Sequence, residues 1–132
     1  MFPVSKPELR AVFEAIGGET GLERILIDFY RRMAADPMIG FFFTGKNLRS
    51  HSIEEIASKQ KLFLMKAFGA TESFSGLPPA KAHTHLAPIL SGHFDRRLKI
   101  LEETLKDHNV DEASIQRWIN FENAFRDGIQ TS

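Results

Sequence analysis

Three times in this chain a Ser or Thr stands three residues ahead of a Glu, directly before apolar residues at helical spacing: Ser5 and Glu8, Thr20 and Glu23, Ser52 and Glu55. In such a capping box the hydroxyl accepts from a free N–H of the first helical turn, and the Glu reaches back to another. Pro7 sits in the first turn of the first helix, which the glycines at 17 and 18 end. Behind Thr20, the residues Leu22, Ile25, Leu26, Phe29 and Met33 form one apolar stripe, and Asp36-Pro37 breaks the helix after about Ala35. Residues 39–43 read as a short apolar turn. Behind Ser52, one side carries Ile53, Ile56, Gln60, Phe63, Leu64 and Ala67, up to Gly69. "GATESFSGLPP" has the composition of a loop. A short helix carrying His83 and ended by Pro88 is expected next. Phe94, Leu98, Leu101 and Leu105 stripe a long helix from Gly92 to Asp107. Asp111 reads as the N-cap of a last helix that turns Ile115, Trp118, Phe125 and Ile129 inward. No segment alternates with period two over a convincing length. The expectation is one all-α domain over 1–132, with five or six helices.

The length suits a single core. Seventeen basic residues balance seventeen acidic ones, so charge gives no reason to expect nucleic acid or an anionic membrane as partner. The absence of cysteine excludes disulfides, thiolate nucleophiles and thiolate metal sites. The opening "MFPVSKPELR" has no long apolar run, and no stretch approaches the ~20 apolar residues of a membrane span. A cytoplasmic protein is expected. Twelve Phe stand against one Tyr and one Trp. A small chain this rich in Phe builds a large aromatic core or lines an apolar pocket.

Three of the five histidines fall in "AKAHTHLAPILSGHF": His83, His85 and His93. On a helix, His83 and His85 lie about 200° apart and chelate one ion poorly; on a strand they could share one. A hydrolytic metal site wants further converging ligands, and the nearest carboxylate is Asp95. The plain reading is a set of surface or core-edge histidines. Against it, a short, carboxylate-poor segment in a Phe-rich, cysteine-free helical chain suits a single axial ligand to a large flat cofactor such as haem.

Tyr30, the sole tyrosine, flanks the stripe one turn from Leu26 and Met33. Alone, it reads as a half-buried residue bonded to a backbone carbonyl. Gln60 stands inside the stripe of its helix, where an amide without partners costs roughly 1–3 kcal/mol. Together the two polar tips could meet in a dry pocket and hydrogen-bond a small polar ligand. Lys59 is either solvated or paired with a cofactor carboxylate. The "RR" pairs at 31–32 and 96–97 read as solvated helix faces. "IGGETG" follows no strand and is an interhelical turn rather than a phosphate cradle.

The order of three segments resembles the truncated, two-over-two haemoglobins, most of all their first group. "IGGETGLERILIDFYRRMAADPMIGFFF" is similar to that family's opening, with its Gly-Gly turn, its Phe-Tyr and its Phe pair after Ala-Asp-Pro. "KQKLFLMKAFG" is similar to its Lys-Gln followed by an aromatic and aliphatic pair. "FSGLPPAKAH" resembles its lead into the proximal histidine, and the later "HFD" is similar to the family's as well. The resemblance covers nearly the whole chain. It implies a two-over-two helical sandwich around haem b, with His83 on the iron and Tyr30 and Gln60 as distal hydrogen-bond donors. It sets Phe43 against the haem, Ile56 at the distal position one turn before Gln60, and Lys59 within reach of a propionate or the iron. Phe63, Leu64, Ile89, Phe94 and Leu98 complete the expected lining, and His85 touches a propionate or water.

The chain departs from the family pattern at Ala70, where a second glycine is usual, and in "TGKNLRSH", which is longer than usual. Leu64 stands where some members place a Phe that gates a gas tunnel. The stretch from His83 to Phe94 is about one residue longer than in the family pattern, which keeps His85 as an alternative register for the ligand.

The function implied is binding of O2 and other diatomics such as NO or CO, for storage or for NO detoxification with an external reductase. Two other readings stay open. One is a six-coordinate haem protein closed by Lys59, for electron transfer or redox sensing. The other is a cofactor-free helical interaction domain. The expected assembly is a monomer or a weak homo-oligomer.

Overall fold

The computed structural model describes residues 6–43, 52–69 and 91–124. Within them lie five α-helices, α1 (Lys6–Ala15), α2 (Gly18–Ala35), α3 (Ile53–Ala67), α4 (Ser91–Asp107) and α5 (Glu112–Asn123), and a 3-10 turn at Gly40–Phe43. The expected loop at 69–79 beyond its first residue Gly69, the short helix carrying His83, and Phe125 and Ile129 lie outside the described residues. No helix among the described residues is long and apolar enough to cross a membrane.

α1 buries Leu9, Val12 and Phe13, spaced i, i+3, i+4 on one face. It hands over to α2 through two glycines in the left-handed region, Gly17 at φ 95° and Gly18 at φ 67°. α2 therefore begins two residues before Thr20. The N-cap is Gly17, and no side chain caps the helix. The Thr20–Glu23 pair is helix interior, a correction to the capping-box expectation. Gly21 fixes the tightness of this corner. A Cβ there would stand 1.7 Å from the carbonyl oxygen of Ile16, so only glycine fits.

The expected α2 stripe is buried, with Tyr30 added to it: Leu22, Ile25, Leu26, Phe29, Tyr30 and Met33. The helix ends at Ala35, and Asp36 takes an extended conformation before Pro37. Its carboxylate then organises the corner. Oδ2 accepts from the N–H groups of Met38 (2.9 Å) and Ile39 (3.2 Å), and Oδ1 accepts from Arg96 Nε at 2.8 Å. One buried aspartate thus joins the end of α2, the 3-10 turn and α4.

α3 starts as expected, with Ser52 Oγ accepting from Glu55 N at 3.1 Å. It buries Ala57 and Leu64, with Phe68 following, and stops at Gly69 (φ 79°). α4 buries Phe94, Ile100, Leu101, Thr104 and Leu105. The Thr104 hydroxyl donates to the Ile100 carbonyl at 2.7 Å, so it costs little there. Asn109 (φ 61°) closes α4, with Val110 N donating to Leu105 O in a Schellman-type turn. Asp111 caps α5, accepting from Ser114 N at 3.1 Å.

α2 packs against both α3 and α4, α5 packs on α1 and α4, and α1 also touches α2 and α3. Rings tie α3 to α5: Phe68 meets Trp118 edge-on at 5.4 Å and Phe121 at 5.9 Å, and Phe63 stacks on Phe121 at 6.4 Å. Part of the Phe content is therefore core.

Candidate functional site

Tyr30 is 7% exposed. Its ring packs tilted against Phe29 (5.4 Å between centroids) and edge-on against Phe43 (5.9 Å). This places the 3-10 turn over the tyrosine. The hydroxyl feels the charges of Arg97 on α4 and Glu122 on α5. Burial raises the Tyr30 pKa, Arg97 pulls it down and Glu122 adds to the rise; the net direction is up. At neutral pH the side chain is therefore an uncharged O–H donor.

Arg97 and Glu122 form an ion pair between α4 and α5, Nη1 to Oε2 at 2.6 Å, with side chains only 18% and 7% exposed. The other carboxylate oxygen accepts from Trp118 Nε1 at 3.1 Å. The guanidinium carbon lies 5.1 Å from the Phe29 ring centroid, a cation–π position. Burial works against the charge on Arg97, but Glu122 and Tyr30 more than offset it, and its pKa is raised.

Arg97 and Glu122 correct the reading of 96–97 as a solvated face. Arg96 binds the buried Asp36 carboxylate, with Nη2 to Oδ1 at 2.7 Å, and Arg97 belongs to the interior. Arg31, 64% exposed, pairs with Glu54 at 3.1 Å on a solvated face as expected, while Arg32 is held by Asp28 and Asp107 (3.0 and 2.8 Å). The sequence held a signal for the inner pair. Arg97 stands three residues after Phe94 and four before Leu101, inside the α4 stripe; Glu122 stands four after Trp118, inside the α5 stripe. Two opposite charges at inward helical positions are candidates for each other.

Gln60 is half-buried on α3, between Ile56 and Leu64 one turn away on either side. Ile56, Phe63, Phe43 and Leu98 are apolar and half-buried. Leu64 and Phe94 are buried fully, and Lys59 is on the exposed side of α3. His93 sits in the first turn of α4, its ring edge-on to Phe41 (5.6 Å) and Phe42 (5.2 Å). His83, His85 and Ile89 lie outside the described residues. Among the described residues, no group of three or more acidic or histidine side chains could hold a metal ion.

The donor set can be tested for what it suits. Arg97 carries only donors, and both Glu122 oxygens already accept bonds. No acceptor among the described residues takes the phenolic proton of Tyr30. A buried O–H with a proton to give, edge-on to the half-covered Phe43 ring, fits an apolar group that carries a small polar ligand.

A family model for the bacterial-like globins matches residues 11–131. The chain belongs to that family. Its similarity to curated relatives is to truncated haemoglobins of the first group. One is Group 1 truncated hemoglobin GlbN of Synechocystis sp., 32% identical over 110 residues, spanning 81% of this chain and 85% of that protein. Another is Group 1 truncated hemoglobin LI410 of Chlamydomonas moewusii, 29% identical over 106 residues. That match spans 80% of this chain but only 59% of LI410, so the globin matches rather more than half of that relative's length. In fold, the globin superposes on the truncated hemoglobin of Tetrahymena pyriformis in its Fe(III) form with a TM-score of 0.79 at 22% identity, covering 92% of this chain and 98% of that one. The architecture is therefore the all-α truncated-globin fold, and the family supports a haem-based diatomic-binding function.

Proposed function

We propose that this truncated globin binds O2, and with it NO and CO, on haem b held by His83, with Tyr30 and Gln60 as the hydrogen-bond donors on the ligand side. The observation that carries the reading is the buried Tyr30 hydroxyl, whose proton finds no acceptor among the described residues, beside the half-open Phe43 ring. When bound, ferrous haem supplies an open coordination position and electron density for a diatomic ligand. Phe43, Ile56, Phe63 and Leu98 supply apolar walls and keep water away. Lys59, on the exposed side of α3, would pair with a haem carboxylate. Tyr30 donates to the ligand's outer atom, where a hydrogen bond to developing negative charge is worth roughly 1.5–3 kcal/mol. Each ~1.4 kcal/mol is a factor of ten, so two donors slow ligand release a hundredfold or more.

Slow release suits NO detoxification better than bulk transport. In that role O2 and NO leave as nitrate, and an external reductase returns one electron per turnover. The test is the absorption spectrum of the purified, reduced chain. A Soret band with a high-spin, five-coordinate ferrous spectrum is expected, lost in His83→Ala and kept in His85→Ala. Normal coordination in His83→Ala would overturn the choice of ligand. The lack of a Soret band would overturn the haem reading itself.

A further inference from the structure

We propose that Arg96 is a positioning residue of this site: its guanidinium, closed on the Asp36 carboxylate, pins the 3-10 turn to α4 and so sets where the Phe43 ring stands against Tyr30. The consequence for ligand release rests on the diatomic-binding reading. The clamp itself does not, and it gives a role to an arginine that the sequence placed on a solvated face.

A 3-10 turn of four residues has little to hold itself with. Its backbone bonds are short-range, such as Gly40 N to Asp36 O at 2.8 Å and Phe42 N to Ile39 O at 3.1 Å. Its place must come from its surroundings, and three contacts with α4 supply it. Arg96 puts two nitrogens on one oxygen of Asp36, Nε at 2.8 Å and Nη2 at 2.7 Å, while the other oxygen takes the N–H groups of Met38 and Ile39. His93 stands edge-on to Phe41 and Phe42 at 5.6 and 5.2 Å. At Gly92 a Cβ would come within 3.2 Å of the Met38 methyl, so the corner lies close on the helix backbone there. His93 and Gly92 stand three and four residues before Arg96, one turn away on the same side of α4.

On its other side the turn lies against the end of α2, where a Cβ at Gly40 would stand 2.6 Å from Ala34 O. The turn is thus wedged between two helices, and its last residue, Phe43, carries the ring that meets Tyr30 edge-on at 5.9 Å. Of the three contacts with α4, only the Asp36–Arg96 bond is charged and directional. The Asp36 side chain is 4% exposed and that of Arg96 is 37% exposed. The carboxylate is therefore fixed in the interior, and the guanidinium closes over it from the surface. A planar guanidinium on a carboxylate fixes angle as well as distance. Without it the turn keeps its ring contacts but loses its strap, and Phe43 can move off the tyrosine. Water then competes for the phenolic proton, and the bond from Tyr30 to a ligand weakens.

The test uses the full chain, haem-loaded as the ferrous carbonyl complex for NMR, and two readouts. Tyr30 is the sole tyrosine, so tyrosine-selective labelling gives one set of ring resonances. Their cross-peaks with Phe43, identified by their loss in Phe43→Leu, report how the two rings stand. The O2 dissociation rate reports the ligand. Arg96→Met leaves Asp36 its two backbone donors and is expected to fold. It should weaken the Tyr30–Phe43 cross-peaks and speed O2 release about threefold to tenfold. Arg96→Lys, with the charge but no planar fork, should fall between Arg96→Met and the parent in both readouts. In a Phe43→Leu background, Arg96→Met should leave the O2 rate unchanged. Arg31→Met, which breaks an exposed ion pair with Glu54, should match the parent throughout. Unchanged cross-peaks in Arg96→Met, or an O2 rate equal to the parent's, would overturn the positioning role. So would a rate effect undiminished by Phe43→Leu. A parent chain that takes up no haem would overturn the diatomic reading alone, and the cross-peaks of the cofactor-free chain would then decide the clamp.

Discussion

Arg97 on α4 and Glu122 on α5 meet at 2.6 Å, and the same carboxylate receives the Trp118 indole N–H at 3.1 Å. The pair is interior, so its two halves depend on each other. Glu122→Ala leaves a buried guanidinium without its counter-charge and an indole N–H without its acceptor. The expected loss of stability is ~3–5 kcal/mol, measured as a lower urea midpoint. Replacing both charges by Met should recover most of it, because removing both partners also removes the cost of desolvating them. A loss below ~1 kcal/mol for Glu122→Ala would show that the pair carries no such dependence.

The Tyr30 hydroxyl is the polar tip of an otherwise apolar helix face. Tyr30→Phe deletes one oxygen and keeps the ring contacts with Phe29 and Phe43. O2 release from the haem-loaded chain is expected to accelerate about tenfold or more, read by stopped flow, while thermal stability changes little. An unchanged off-rate would sink the assignment of Tyr30 to the ligand side.

Asp36 gives the fold an acid-sensitive corner. The Arg96 guanidinium lowers its pKa most, burial opposes, and the N–H groups of Met38 and Ile39 lower it further; the net direction is down. A carboxylate whose folded pKa is depressed binds its proton more readily when unfolded. Its contribution is present above the ordinary aspartate value, about pH 4, and is lost as pH falls through the lower folded value. Asp36→Asn should thus be less stable than the parent at pH 7, and the gap should close on acidification below about pH 4. Parallel denaturation curves at several pH values check this; a gap independent of pH would refute it.

Gly21→Ala places a methyl 1.7 Å from the Ile16 carbonyl oxygen, a contact with backbone rather than with a side chain that can turn away. The α1–α2 corner must open to accept it. A loss of at least ~1–3 kcal/mol is expected, seen as a lowered Tm with the haem spectrum of the folded fraction intact. A Tm equal to the parent's would show that the corner yields.

Much of the fold can be read from the chain because stripes and caps are local signals. Ser52 and Asp111 cap the helices they precede, and Leu22 to Met33 bury as one face. Thr20 misleads because Thr-x-x-Glu also occurs inside helices. There the left-handed Gly17–Gly18 turn and the close approach at Gly21 decide the start, and these depend on the neighbouring helix. Tyr30 stands out in the sequence as a polar tip flanking a stripe, whereas Phe43 is singled out only by the family resemblance; the structure packs the two rings edge-on. The site is only half legible at Arg97 and Glu122: each stands inside an apolar stripe, but they lie 25 residues apart in the chain, and nothing local pairs them. A charged residue alone reads as solvated, and only the packing of α4 on α5 turns two such residues into a buried pair.

Trp118 and Tyr30 are the chain's one tryptophan and one tyrosine, and both bear on the same ion pair. Indole emission shifts with the electric field and hydration around the ring, and here a single buried carboxylate at the ring nitrogen sets much of that field. Loosening of the Arg97–Glu122 contact, by ligand, mutation or acid, would therefore register in the fluorescence of the unlabelled protein. The chain carries an intrinsic optical reporter at this interior ion pair.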